Sequence, residues 1–226
     1  MSELDLYAKV EHLLGIEEAT RELHKLFSEE LEEFEITSLL DVGCGRGGFM
    51  ELMRSKGVEC QGIDKSSLMV EACRAKGLSV SSDEIYDVKS EFDAIVAIFD
   101  VLNFFTPAEL ERFLAGVEQK LKSGGVFVAD INSRYGFSEV AEGCMSAKSE
   151  SEFLVVDAVF DDDKLETQFT LFSKDGECYQ KEQRSITQYF HTTRSFEKSK
   201  GLKVLQKLPF SLYDEKDKVL LVLQKI

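Results

Sequence analysis

Ser38-Leu39-Leu40-Asp41-Val42-Gly43-Cys44-Gly45-Arg46-Gly47-Gly48 is the stretch on which the reading of this chain turns. A short apolar run ends in an acid, four glycines follow within six residues, and Phe49-Met50-Glu51-Leu52-Met53 has helix-forming composition. The order is strand, tight turn, helix. Glycines at 43, 45 and 47 allow backbone conformations that a side chain forbids and let a ligand come close. The amides that open the helix then face that ligand unpaired. A plain strand-helix connection explains the turn less well, because clustered glycines cost conformational entropy.

Downstream, the pattern of strand followed by helix repeats. Gly57 stops the first helix, Val58 to Ile63 form a short strand, and Asp64 stands at its carboxyl end. A helix from Ser66 ends at Lys76-Gly77, and Leu78-Ser79-Val80 follows as a third strand. Phe92 to Ile98 is apolar almost throughout, which suits the middle of a parallel sheet, and it leads into Phe99-Asp100-Val101-Leu102-Asn103. Thr106-Pro107-Ala108-Glu109 is a capping-box helix start. That helix runs to Leu121 and stops at Ser123-Gly124-Gly125, before the fifth strand, Val126 to Asn132. Asp130 and Asn132 fall at that strand's tip.

Upstream, apolar residues at helical spacing predict two helices between residue 3 and about residue 33, broken at Gly15. After Arg134 alternation replaces runs. Phe153–Phe160, Lys164–Phe172 and Cys178–Phe190 predict a three-stranded antiparallel insertion, with a hairpin turn at Lys174-Asp175-Gly176. A short helix over Phe196–Gly201 precedes two closing strands around Lys203–Leu205 and Val219–Leu223. The segment Tyr213–Lys218 is too short for a crossover helix, so the last pair is expected to be antiparallel.

Two nucleotide cofactors fit the glycine turn. As G-x-G-x-x-G through Gly43, Gly45 and Gly48, with Asp64 downstream, it matches the dinucleotide fingerprint of NAD(P)-dependent oxidoreductases. As Asp-x-Gly-x-Gly-x-Gly from Asp41, it resembles motif I of the class I S-adenosylmethionine (SAM) methyltransferases. Asp41 discriminates: a carboxylate there can pair with the ammonium of the cofactor's methionine part and repels a pyrophosphate. Gly62 to Met69 and the Leu-Lys-Ser-Gly-Gly strand also resemble this family, so the likeness covers nearly the whole chain.

The resemblance implies an α/β fold: a doubly wound, mostly parallel seven-stranded sheet with a reversed last strand, plus a small antiparallel β insertion. It implies one domain over 1–226, with a helical cap (1–35), a SAM-binding core (36–133), a β insertion covering the substrate (134–192) and a closing helix and hairpin (193–226). It assigns cofactor contacts to Asp41, Gly43, Cys44, Gly45, Asp64 and Phe99, with Lys65 and Met69 flanking the adenine and Asp83 or Glu84 on its amino group. Cys44 is as a thiol a small packing residue. Tyr7, in Leu-Tyr-Ala, either closes over the cofactor or packs into the core. Asp100, Asn103, Tyr189 and His191 are acceptor-side candidates, each with a capping or structural role as its rival.

Composition narrows the acceptor. A net charge of -15 and a pI of about 4.7 disfavour DNA and make RNA a poor substrate, since phosphate binding draws on clustered Lys and Arg. A small-molecule O or N acceptor is the expectation. Five cysteines form no C-x-x-C pair, the three histidines lack metal-ligand spacing, and the amino terminus lacks signal-peptide shape. A metal-free, cytoplasmic enzyme is therefore expected. The alternatives are an NAD(P)-dependent oxidoreductase, a SAM-binding module without catalysis, and an RNA or protein methyltransferase.

Overall fold

The strand predicted at the start of the quoted stretch, β1 (Ser38–Val42), lies inside the main sheet of the computed structural model, which describes residues 3–226. Its parallel neighbours are β2 (Glu59–Ile63) and β4 (Phe92–Ala97). Beyond β2 lies β3 (Ser79–Ser81), and beyond β4 lies β5 (Leu121–Asn132), both parallel to their neighbours. Then the direction changes: β11 (Lys218–Lys225) runs antiparallel to β5 and to the edge strand β10 (Leu202–Phe210). The order β10-β11-β5-β4-β1-β2-β3 is the expected seven-stranded sheet with a reversed last strand.

Alternation along each strand sends side chains to two faces, and helices cover both. On one face Leu39, Val96 and Val128 pack with Phe27 of α2 (Glu17–Leu31), Met50 of α3 (Gly48–Ser55) and Val70 of α4 (Ser67–Ala75). On the other, Leu40, Ile95 and Phe127 meet Leu110, Leu114 and Val117 of α5 (Pro107–Lys120). The capping box of α5 is present as expected, with Thr106 and Glu109 bonded reciprocally. The closing helix is a 3-10 turn over Thr193–Lys198. No helix among the described residues is long and apolar enough to cross a membrane.

The insertion has four strands where three were expected: β6 (Gly143–Lys148), β7 (Glu152–Asp161), β8 (Lys164–Asp175) and β9 (Cys178–Tyr189), paired antiparallel in that order. β6 escapes a pattern-based reading because it is almost entirely exposed and carries no apolar alternation; its register with β7 alone makes it a strand. A π-helical turn over Gly136–Ala141 leads into it. The inner face of this sheet, with Leu154, Phe169, Leu171 and Ile186, buries Leu6 and Val10 of α1 (Glu3–Val10). The predicted N-terminal helices are α1 and α2, joined by a 3-10 turn over Glu11–Leu13.

At the amino ends of the parallel strands, Asp93 of β4 acts as a clip. Its Oδ2 accepts from the Thr37 and Ser38 amides, both at 3.0 Å, and from their hydroxyls at 2.8 and 2.9 Å, while Oδ1 accepts from Lys122 at 2.8 Å. Burial works against the charge, but Lys122 and the Thr37 and Ser38 donors outweigh it and hold the carboxyl well below its usual range. A depressed folded-state pKa contributes stability above the unfolded value of about 4, lost as pH falls through the folded value. Asp93→Ala is therefore expected to lower unfolding stability by about 2–3 kcal/mol at neutral pH. In urea titrations at a series of pH values, the gap to the parent should close on acidification; a gap independent of pH would contradict the clip.

Candidate active site

The crevice opens beyond the carboxyl ends of the parallel strands, where ligands of open α/β sheets are held. Leaving β1, the Gly43 and Cys44 amides donate to the Ile63 carbonyl at 2.8 and 3.2 Å, which bends the turn toward β2. Two of the glycines serve different ends. At Gly43 (φ +70°) a Cβ would stand 2.6 Å from Cγ2 of Val101, so the glycine is needed for packing. At Gly45 (φ +53°) a Cβ would meet nothing within 4 Å: the turn faces open space there, where a ligand can approach the backbone.

Two acids border this space. Asp64 accepts the Gly45 amide on Oδ2 at 2.9 Å and the Ser66 amide on Oδ1 at 2.8 Å. Burial raises its pKa, and those two amides oppose the rise. Asp41 is only 2% exposed, yet no described residue donates a hydrogen bond to its carboxylate. Burial, reinforced by the charge of Asp64, pushes its pKa up to about 8. A buried acid without a donor is costly, and a cationic donor arriving from the crevice would satisfy it.

A second cluster lies where β4 ends. Phe99 and Asp100 have φ of 70° and 50°, so two successive residues with side chains are left-handed. Such backbone persists only where its surroundings over-determine it. Here both amides donate to Asp130, at 2.6 and 3.0 Å. Lys218, the first residue of β11, donates to Asp100 Oδ1 and Asp130 Oδ2, each at 2.9 Å, and to Asn132 Oδ1 at 3.0 Å. Its side chain is 2% exposed and that of Asp130 is 0% exposed. Burial favours the neutral amine, but the charges of Asp100 and Asp130 more than offset it and raise the lysine pKa. Gln188 of β9 completes the cluster by donating to Asp100 Oδ2 at 2.5 Å.

The remaining expected residues divide. Lys65 and Glu84 form an exposed ion pair, and Asp83 accepts from the Ser81 hydroxyl at 2.8 Å, all on the β2–β3 side of the crevice beside Asp64. Met69 is buried in α4, and Cys44 is a buried thiol whose pKa rises through burial, as a packing residue's should. Tyr7 stacks edge-on against Phe169 of the insertion at 6.1 Å. Asn103 and His191 are held inside the protein by backbone groups. Asn103 is fully buried, donating to the Tyr189 carbonyl at 2.8 Å and accepting from the Asn132 amide at 2.9 Å. His191, also buried, bonds the Phe105 carbonyl at 3.0 Å, and burial lowers its pKa. Both tie β9 to the segment after β4. Tyr189 contributes its carbonyl to that tie, its side chain half-buried.

Sequence reasoning missed Lys218, Tyr213 and Arg46. Lys218 read as the end of a charged linker; the signal was its place at the head of a reversed strand, whose start, not its end, reaches the crevice. Tyr213 stands on the loop between β10 and β11, its amide held by Asp217 at 3.1 Å. Arg46 joins the glycine turn to α1 and the turn after it, donating to the Ala8 carbonyl and to Glu11, each at 2.8 Å.

Residues 39–125 match the family model described as a methyltransferase domain. Carboxy-S-adenosyl-L-methionine synthase of Aliivibrio salmonicida (strain LFI1238) is 29% identical over 115 residues, covering 46% of this chain and 47% of that protein. The enzyme of the same name from Yersinia pestis (strain Pestoides F) is also 29% identical, over 42% of its length, so the chain spans less than half of the curated relatives it matches. Among solved structures, a SAM-dependent methyltransferase from Clostridium acetobutylicum ATCC 824 superposes with a TM-score of 0.80 at 22% identity, covering 97% of this chain and 99% of that one. The sugar N-methyltransferase KedS8 from Streptoalloteichus sp ATCC 53650 gives 0.75 at 17% identity over 96% and 91% of the two chains. Strand order, reversed strand and acid-glycine turn together define the class I SAM-dependent methyltransferase fold. The methyltransferase domain model thus matches the segment that carries the glycine turn, Asp64 and the first four parallel strands.

Proposed function

We propose that the chain transfers a methyl group from SAM to a small-molecule acceptor. The observation that carries the reading is Asp41, a buried carboxylate without a donor among the described residues, beside a glycine turn that opens at Gly45. The methionine ammonium of SAM supplies both the missing donor and the missing charge. Asp64 takes the ribose hydroxyls, Lys65, Met69, Asp83 and Glu84 border the adenine, and Gly43, Tyr7 and Phe99 border the methionine end. When bound, the cofactor presents a methyl group on a positively charged sulfur, whose departure as a neutral thioether leaves the protein mainly a positioning task. In this reading residues 36–133 hold the cofactor, 1–35 cap it, 134–192 cover the acceptor and 193–226 close the sheet. The acidic chain favours a small acceptor over RNA. Asp41 offers a pyrophosphate neither a cation nor a fixed amide donor, and ionising it beside one would be repulsive, which disfavours the dinucleotide alternative.

Calorimetric titration with SAM, S-adenosylhomocysteine and NADH tests the reading. Micromolar-range binding of both adenosyl ligands and none of NADH is expected; NADH binding alone would overturn it. Asp41 adds a proton to the balance. Its folded pKa of about 8 lies above the unfolded carboxyl value, so the empty protein loses this group's contribution to stability as pH rises from about 4 to about 8. Pairing with an ammonium favours the ionised form. Binding of S-adenosylhomocysteine at pH 7 should therefore release close to one proton, seen as a dependence of the heat on buffer ionisation enthalpy. Asp41→Asn should abolish that release, and an unchanged release in the variant would assign the proton elsewhere.

A further inference from the structure

Resting on that reading, we propose that the acceptor is an amine, which Asp100 holds in its ammonium form, on the side of the crevice to which α1 and the β10–β11 loop bring Tyr7 and Tyr213, before it is methylated on nitrogen. Three observations lead there. First, the cations drawn into the crevice walls are engaged, while Lys216 on the β10–β11 loop is exposed. Lys218 directs its donors at Asp100, Asp130 and Asn132; Arg46 bonds Glu11 and the Ala8 carbonyl; Lys65 pairs with Glu84; Arg134 pairs with Asp163 and lies over Phe190. Lys218 offsets charge on Asp100 and Asp130, and Asp41 and Asp64 stand on the other side of the crevice, so even with Asp41 protonated the acids outnumber the one buried ammonium. A phosphate or carboxylate at the reacting centre would find repulsion and no partner.

Second, Asp100 is presented by design of the backbone. The left-handed pair Phe99-Asp100 is held by Asp130 beneath it, and Lys218 and Gln188 each occupy one carboxylate oxygen from the protein side. Each oxygen keeps a second acceptor site for an incoming N–H. Third, two phenols come to this side of the crevice: Tyr7 packs in one apolar cluster with Phe104, and Tyr213 stands on the loop that leads into Lys218, the partner of Asp100. Tyr7 arrives on α1 and Tyr213, 50% exposed, on the β10–β11 loop, and neither hydroxyl bonds to a described residue. Burial raises both phenol pKa values, and Asp100 adds to the rise in each; Tyr213 reaches about 12. Neutral aromatic rings beside a carboxylate are suited to an alkylammonium ion.

The chemistry balances. The ammonium first gives one proton through the crevice to water; the freed nitrogen lone pair forms the N–C bond while the S–C pair stays on sulfur. One ammonium and one sulfonium become a methylated ammonium, a neutral thioether and one released proton.

The test uses three probes of one size with protein saturated by S-adenosylhomocysteine: ethanolamine, ethylene glycol and glycolate, which are cation, neutral and anion. Ring signals of the six tyrosines, labelled with carbon-13, report binding. Ethanolamine should shift two of them saturably at millimolar concentration, the other two probes should not, and Asp100→Asn should weaken ethanolamine at least about tenfold. Because Asp100 also bonds Lys218, Tyr213→Ala serves as the second variant: it should weaken ethanolamine and leave S-adenosylhomocysteine affinity in place. Equal responses to the three probes, a response to glycolate alone, or no saturable response would each overturn the amine assignment. Failure of S-adenosylhomocysteine to bind in calorimetry would instead sink the cofactor reading beneath it.

Discussion

Lys218→Met is expected to destabilise the protein by about 3–5 kcal/mol, the usual cost of removing one partner from a buried ion pair. Methionine fills a similar volume, so the loss is electrostatic. Asp130 keeps only the Phe99 and Asp100 amides, and Asp100 keeps only Gln188. Two carboxylates then face each other in the interior without the ammonium between them. Against a total stability of about 5–15 kcal/mol, such a loss is large enough to read as a shifted urea midpoint. It should shrink as pH falls and the unpaired acids take up protons, and Lys218→Met combined with Asp130→Asn should recover part of it. A loss below about 1 kcal/mol would show that the triad is worth no more than a surface pair.

Asp64→Ala is expected to cost the protein its cofactor. If the carboxylate accepts both ribose hydroxyls, two charge-assisted hydrogen bonds of about 1.5–3 kcal/mol each disappear. That corresponds to roughly a hundredfold to ten-thousandfold loss of S-adenosylhomocysteine affinity. The same carboxylate accepts from Gly45 and Ser66, so the turn loses a tie between β1 and β2. Gly45 is half-buried and Ser66 buried, so freeing the two amides should lower stability by about 1–3 kcal/mol. Calorimetry and thermal unfolding on the same sample separate the two effects. Affinity within tenfold of the parent would remove Asp64 from the site.

The main sheet was legible because its signals are local. Apolar runs such as Phe92–Ile98, the glycine at the end of each short helix and the Thr106–Glu109 box each specify an element without reference to distant residues. The turn at Gly43–Gly47 and the position of Asp64 were legible for the same reason. What escaped is what depends on register or on long-range pairing. β6 is a strand only because β7 offers it an edge. Asn103 and His191 had the right residue types for chemistry, but their bonds to Tyr189, Asn132 and Phe105 span 86, 29 and 86 positions. Lys218 was hidden most completely, since its partners Asp100 and Asp130 lie 118 and 88 residues earlier.

That separation bears on how the chain assembles. Until β11 arrives, β5 is an open sheet edge, and Asp130 on it can remain hydrated beside Asp100. Docking of the β10–β11 hairpin buries the acid and delivers its counter-charge in the same motion. A sheet closed without the lysine would trap an unpaired charge, and an open sheet leaves the apolar flank of β5 wet. Neither half-way state is comfortable, so the last step of building the sheet is also the step that sets the Phe99-Asp100 backbone. The stability of the sheet edge and the shape of the crevice are thus thermodynamically linked through Lys218.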